Sequence, residues 1–306
     1  MTTATATTRA VRTGTRRDIS IGVGWGLLVV LIWATWVVSS RAGVKSSLRP
    51  LDIAFIRYAC ASILLLPVAL RKSLPLVIRS VPTTLAIVAG AGAPFLLVSV
   101  TGMKFAPASH IASVMIGSMP FFVALLAVVI LGERLRPIQW AGFAVVVVGL
   151  SIINASGLSD GNSDSWRGQV LFLLAAAMWA VYTIAIRAAK VTALHSAFAV
   201  NAWSLILVTI AYGALGRPDF ASMRWSDVCI QAAAQTVSAV VGLYAFGESV
   251  RRLGAARAAV ISALTPGIAT LLAIPMLGEH PSGMSLAGIA VITVGVAWAS
   301  VWPKKP

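Results

Sequence analysis

The chain has 306 residues, of which 58% are hydrophobic and 11% charged, with a formal net charge of +15. Soluble domains are about 45–50% apolar and about 25% charged, so this composition excludes a water-soluble fold, a disordered chain, a collagen and a disulfide scaffold. It describes a protein that crosses a bilayer several times.

A hydrocarbon core of about 30 Å takes about 20 apolar residues per helix. Apolar runs bounded by charges, Gly and Pro predict spans at 21–40, 52–70, 83–102, 107–131 and 137–155. Five more follow at 168–187, 195–215, 226–247, 254–278 and 283–302. Runs such as Phe143 to Leu150 lack the alternation of a barrel strand, so the expected fold is all-α, an integral membrane protein with ten transmembrane helices. Residues 1–20 read as a basic tail, 156–167 as a linker loop and 303–306 as a second tail. With the N-terminus inside, the cytoplasmic segments hold 15 Lys and Arg against 7 on the other side. That bias sets topology, so both termini are expected in the cytoplasm. The charge is an orientation signal and not a nucleic-acid patch. The first run is too long and Trp-rich for a signal-peptide core. Cys60 and Cys229, both inside spans, provide no disulfide framework.

Shifted by 146 residues, the sequence aligns with itself. Trp33-Ala34 falls on Trp179-Ala180, Arg41-Ala42 on Arg187-Ala188, and Pro120 on Pro266. Leu131-Gly132-Glu133 falls on Leu277-Gly278-Glu279, Ala141-Gly142 on Ala287-Gly288, and Gly149 on Gly295. Each copy holds five spans, and an odd number requires the second copy to enter the membrane upside down. Inverted repeats are a common plan of secondary transporters, which place one site near the midplane.

These duplicated motifs, together with Trp33-Ala-Thr-Trp36 and Phe105-Ala-Pro-Ala-Ser, resemble the EamA-type half of the drug/metabolite transporter superfamily. Within it the chain is similar to the YddG-type amino-acid exporters. The resemblance implies two EamA-like repeats, 21–155 and 168–302, in a bacterial inner-membrane exporter of amino acids (aromatic ones, Met or Thr) or similar metabolites. It implies no cofactor and no metal. Neither monomer nor homodimer is favoured.

Pro120 and Pro266 fall near the middle of the fourth and ninth predicted spans and deprive the carbonyls of Ile116 and Ser262 of their helical donor. Such carbonyls are tolerated where they line a cavity, and the pair is read as two hinges or gates. Trp36 and Tyr182 are equivalent positions, each three residues after Trp33 and Trp179, so each pair shares a helix face suited to stacking on an organic substrate. Ser99, Ser113, Ser118, Gln235, Ser238, Ser262 and Thr265 cluster on the spans that enclose the cavity in the resembled family. Single hydroxyls in a membrane more often bond to their own helix or a neighbour. Met115 and Met119 share a face of the fourth span and suit an adaptable pocket, or core filling. His110 reads as a hydrogen-bonded structural residue.

None of the nine carboxylates lies at the centre of a predicted span. Buried acids usually mark proton or cation routes, so substrates are expected to be neutral or zwitterionic. Arg57 and Arg257, near span ends, read as snorkelling anchors, with Arg257 also able to attract a carboxylate. Glu133 and Glu279 follow a helix-ending Gly and are expected to cap a helix or bind a nearby Arg. Gly142 and Gly149, with Gly288 and Gly295, allow close helix packing within the chain or in a dimer. Efflux of cationic drugs is the alternative function. An enzyme would need a nucleophile with its base or a metal cluster, and a channel a continuous charged or carbonyl-lined pore; the sequence offers neither.

Overall fold

The computed structural model describes residues 16–46, 48–159, 164–216, 223–253, 258 and 261–301. Among them every regular element is helical. Eight helical segments are long and apolar enough to cross a membrane, and two shorter apolar helices follow. The tails 1–15 and 302–306, most of the linker, Gly254 and Arg257 lie outside the described residues.

The first half opens with α1 (Arg16–Lys45) and α2 (Pro50–Arg71). Pro50 begins α2 where its missing N–H costs nothing, and the Arg49 amide donates to the Asp52 carboxylate at 2.8 Å. The predicted third span is two helices, α3 (Val81–Ala91) and α4 (Ala93–Gly102). The break falls at Gly92, where a Cβ would lie 2.4 Å from both Ser204 Oγ and the Val88 carbonyl. The fourth is a short turn, α5 (Ala108–His110), a π-helical stretch at Ile111–Ile116, and α6 (Gly117–Leu131). Pro120 sits in α6 just after that widened stretch. There the Gly117 amide faces the carbonyls of Ser113 and Val114. α7 (Pro137–Ser159) completes this half.

The second half contains α8 (Ser165–Ala189), α9 (Ala193–Leu215), α10 (Trp225–Thr236) and α11 (Leu243–Leu253). A π-helical stretch at Val237–Gly242 joins the last two, and Gly92 and Ser238 are equivalent under the 146-residue shift, so both copies lose helical regularity at one level. α12 (Thr265–Leu277) and α13 (Gly283–Val301) follow. Pro266 does not kink a continuous helix: a turn at 263–264 interrupts the path and Pro266 stands in the first turn of α12. Here proline is well tolerated because first-turn amides have no helical acceptor.

Leu-Gly-Glu ends α6 and α12 in the same way. Gly132 and Gly278 take left-handed φ of 66° and 65°, and the amides of Glu133 and Glu279 return to the carbonyls of Ala127 and Ala273. This is the six-residue closure of a Schellman end, which favours glycine at the left-handed position.

α7 and α13 meet along the small-residue face. A Cβ on Gly142 would lie 2.7 Å from the Ala299 amide, one on Gly288 3.1 Å from the Gly149 carbonyl, and one on Gly295 2.9 Å from the Gly142 carbonyl. The glycines therefore join the two halves of one chain, while Ala141 and Ala287 point outward. The outer surface is apolar, with Ile63, Val129 and Ile210 exposed, as lipid contact requires. The core runs down the middle through Ile53, Leu96, Met115, Phe172 and Ile292.

Candidate functional site

A cavity with about 770 Å³ of unfilled space, its mouth included, lies between the halves. Its wall draws on α1, α2, the break between α3 and α4, the π-helical stretches and α6, α8 and α9. Small-molecule sites share this largely apolar lining with a few polar groups.

Seven of the expected residues line it: Trp33, Trp36, Met115, Met119, Trp179, Tyr182 and Ser238. The equivalent pair Trp36 and Tyr182 thus enters one cavity from opposite copies. The rings form a packed array, with Trp179 centred 5.1 Å from Tyr182 and 5.6 Å from Phe95. The Tyr182 hydroxyl lies 3.0 Å from Ser196 Oγ.

Six expected residues stand outside the lining. The Ser99 and Ser113 hydroxyls donate to carbonyls four residues back, Phe95 at 2.8 Å and Ser109 at 2.6 Å. Ser118 likewise bonds to the Val114 carbonyl. Helix carbonyls outcompete a cavity for these short side chains. Ser262 is half-buried and Thr265 fully buried away from the lining.

Gln235, the sixth, acts from behind the wall. Its Oε1 accepts from Trp36 Nε1 at 2.8 Å and from Arg57 Nη1 at 2.9 Å. Its Nε2 donates to Ser40 Oγ at 2.8 Å and Gln231 Oε1 at 3.1 Å, and Gln231 in turn donates to the Ser39 carbonyl. Two buried amides on α10 therefore fasten α1 and orient two residues of the wall.

Arg57 corrects the sequence reading. It does not snorkel to an interface but lines the cavity, its Cζ 5.9 Å from the Trp36 ring centroid. The polar and aromatic residues missed among those described were Arg57, Tyr58, Phe95 and Asn201. Helix spacing from Trp36 cannot reveal them, because they depend on how α2, α4 and α9 are rotated. Gly92 carried a signal: a glycine amid an apolar run marks a break. The amide freed there, on Ala93, donates to Ser204 Oγ at 2.9 Å, so the irregular backbone beside the cavity remains satisfied.

Salt bridges join the copies at both ends. Arg41 on α1 meets Glu279 after α12 at 3.0 Å, with Lys45 Nζ at 3.3 Å. Arg187 on α8 meets Glu133 after α6. Both pairs match under the 146-residue shift. His110 is buried with Nε2 3.4 Å from Ser285 Oγ, in keeping with a structural role. No group of three or more His, Cys, Asp or Glu side chains able to hold a metal occurs among the described residues.

The model of the EamA-like transporter family matches the chain twice, at residues 20–155 and 166–301. A protein of Streptantibioticus cattleyicolor named "probable terminal-alkyne amino-acid exporter" is 28% identical, over 89% of this chain and 91% of its own. One of Salmonella typhimurium named "probable amino-acid metabolite efflux pump" is 26% identical, over 88% and 91%. The inner membrane transporter YedA of Escherichia coli, itself uncharacterized, is 26% identical over 90% of each chain. A crystal structure of 19% identity shares the fold with a TM-score of 0.64, covering 92% of this chain and 96% of its own. Two family matches that together span nearly the whole chain, on a bundle of apolar helices, carry the conclusion: the chain belongs to the EamA-like transporter family and is a multi-pass inner-membrane transporter, not an enzyme.

Proposed function

We propose that the protein exports amino acids or similar small neutral or zwitterionic metabolites by alternating access. On this reading ten membrane-spanning stretches form two inverted repeats with both termini in the cytoplasm. The Arg41–Glu279 corner then lies outside and the Arg187–Glu133 corner inside. The observation that carries the proposal is that equivalent residues of both copies, Trp36 and Tyr182, line the same cavity. A site shared by two inverted halves can be exposed to either face as one half rocks against the other. The names of the two relatives described as amino-acid or amino-acid metabolite exporters support the substrate class, and the Pro120 and Pro266 regions are the proposed bending points.

Counterflow in proteoliposomes tests this. Vesicles preloaded with unlabelled phenylalanine, methionine or threonine should accumulate labelled amino acid saturably, and Trp36→Ala should lower the rate about tenfold, as expected for a lost stacking partner worth about 1.4 kcal/mol. Movement of a quaternary ammonium dye with no movement of amino acids would replace the reading with drug efflux.

A further inference from the structure

The cavity contains a positive charge that no acidic side chain among the described residues of its lining balances. Arg57 stands about two turns into α2 and presents its guanidinium to the lumen. What it meets is neutral: the Gln235 amide oxygen at 2.9 Å, the Gln235 main-chain carbonyl at 3.5 Å, and the face of Trp36. The carboxylate nearest on its own helix, Asp52, is taken by Arg49 and by the Tyr212 hydroxyl at 2.8 Å. No Asp or Glu is among the described residues that line the cavity. A guanidinium carries five N–H donors in a planar fork, and the hydrogen bonds to Gln235 both come from Nη1.

We propose that Arg57 is the anchor for a carboxylate on the transported molecule, so that the protein selects small organic acids with an apolar or aromatic body, zwitterionic amino acids among them, and rejects amines that lack the acid. The inference rests on the cavity being the transport site. A charge held away from water by neutral groups gains most from an incoming anion, and the fork pairs with a carboxylate through two parallel bonds. The same charge repels a cation entering between the rings. Gln235 is a positioning residue: by accepting from both Arg57 and Trp36 it fixes the guanidinium beside the ring that would pack on the substrate body. At another part of the wall, Asn201 Oδ1 is buried and has no hydrogen-bond partner among the described residues. Its amide orientation is set by Nδ2, which donates to the Ala197 carbonyl at 2.7 Å. That oxygen is an acceptor for an N–H on the substrate.

The test separates binding from transport. Three probes share a phenyl body: phenylalanine, 3-phenylpropionate, which lacks the ammonium, and 2-phenylethylamine, which lacks the acid. In detergent, the melting temperature of the wild-type protein should rise with the first two and not with the third. In Arg57→Gln, whose amide can still reach Gln235, apparent affinity for 3-phenylpropionate should fall at least tenfold, while Arg57→Lys should keep the preference for the acid. Stabilisation by 2-phenylethylamine equal to that by 3-phenylpropionate, no response to either, or an Arg57→Gln response like wild type would each overturn the proposal. The wild-type comparison decides the matter even if Arg57→Gln does not fold. If the acids bind but phenylalanine shows no counterflow, the anchor stands and the transport reading falls. If phenylalanine is carried and the amine competes as well as the acid, the reverse holds.

Discussion

The two Leu-Gly-Glu corners have the same sequence and backbone but different surroundings. Glu279 binds Arg41 and Lys45 and also accepts from the Ala108 amide at 2.8 Å, so it closes the start of α5 as well as the gap to α1. Its side chain is 12% exposed and that of Arg41 15%. Glu133 pairs with Arg187 at a corner where the two side chains are 33% and 43% exposed. One motif, copied, thus makes a shielded lock at one end of the molecule and a solvated latch at the other. The difference shows that duplication supplies the parts of both closures while the local packing decides which of them is tight in this state.

The largest test of that contrast is truncation of each acid. Glu279→Ala strips three partners from a largely buried site and should cost about 2 kcal/mol, below the value for fully buried pairs. Glu133→Ala should cost under about 1 kcal/mol, as for an exposed pair. Melting temperatures in one detergent compare the two directly, and equal losses would erase the distinction. Salt sharpens it with a smaller effect. Raising ionic strength from about 0.1 to about 1 M shortens the screening length from about 10 to about 3 Å, so the gap between Glu133→Ala and wild type should shrink toward zero while that for Glu279→Ala persists. The smallest expected difference between the corners, none, is also a control. Gly132→Ala and Gly278→Ala should each cost about 1 kcal/mol and by the same amount, because both glycines hold the same left-handed φ. Unequal costs there would mean that the corners differ in backbone and not only in surroundings.

Much of this organisation is legible in the sequence, because membrane segments are long apolar runs and the copies keep Trp, Pro and Leu-Gly-Glu in step. Trp36 and Tyr182 stand out in the sequence as aromatic rings at matched mid-span positions of both copies, though the chain alone leaves lipid-facing or packing bulk open as well. Arg57 was misread for a physical reason. Distance from a helix end is written in the chain, whereas rotation about the helix axis is set by packing, and a side chain seven residues inside α2 can face lipid or lumen. Ser99, Ser113 and Ser118 take the commoner role of a membrane hydroxyl, bonding to a carbonyl one turn back, while Ser238 reaches the cavity; hydropathy does not separate the two. The π-helical stretches lie against α8 and α1, long-range contacts that composition does not encode, whereas the break at Gly92 is marked by its glycine and completed by the Ser204 hydroxyl.

The glycine seam between α7 and α13 has a consequence for how the protein is made. Its two faces lie on α7 and on the last helix of the second copy, so as the chain leaves the ribosome the face on α7 waits, uncovered, while α8 to α12 enter the bilayer. Backbone-to-backbone contact of this kind forms only once Gly283–Val301 has arrived. Closure of this seam is therefore among the last events of biosynthesis, and a chain stopped before α13 leaves the small-residue face of α7 uncovered.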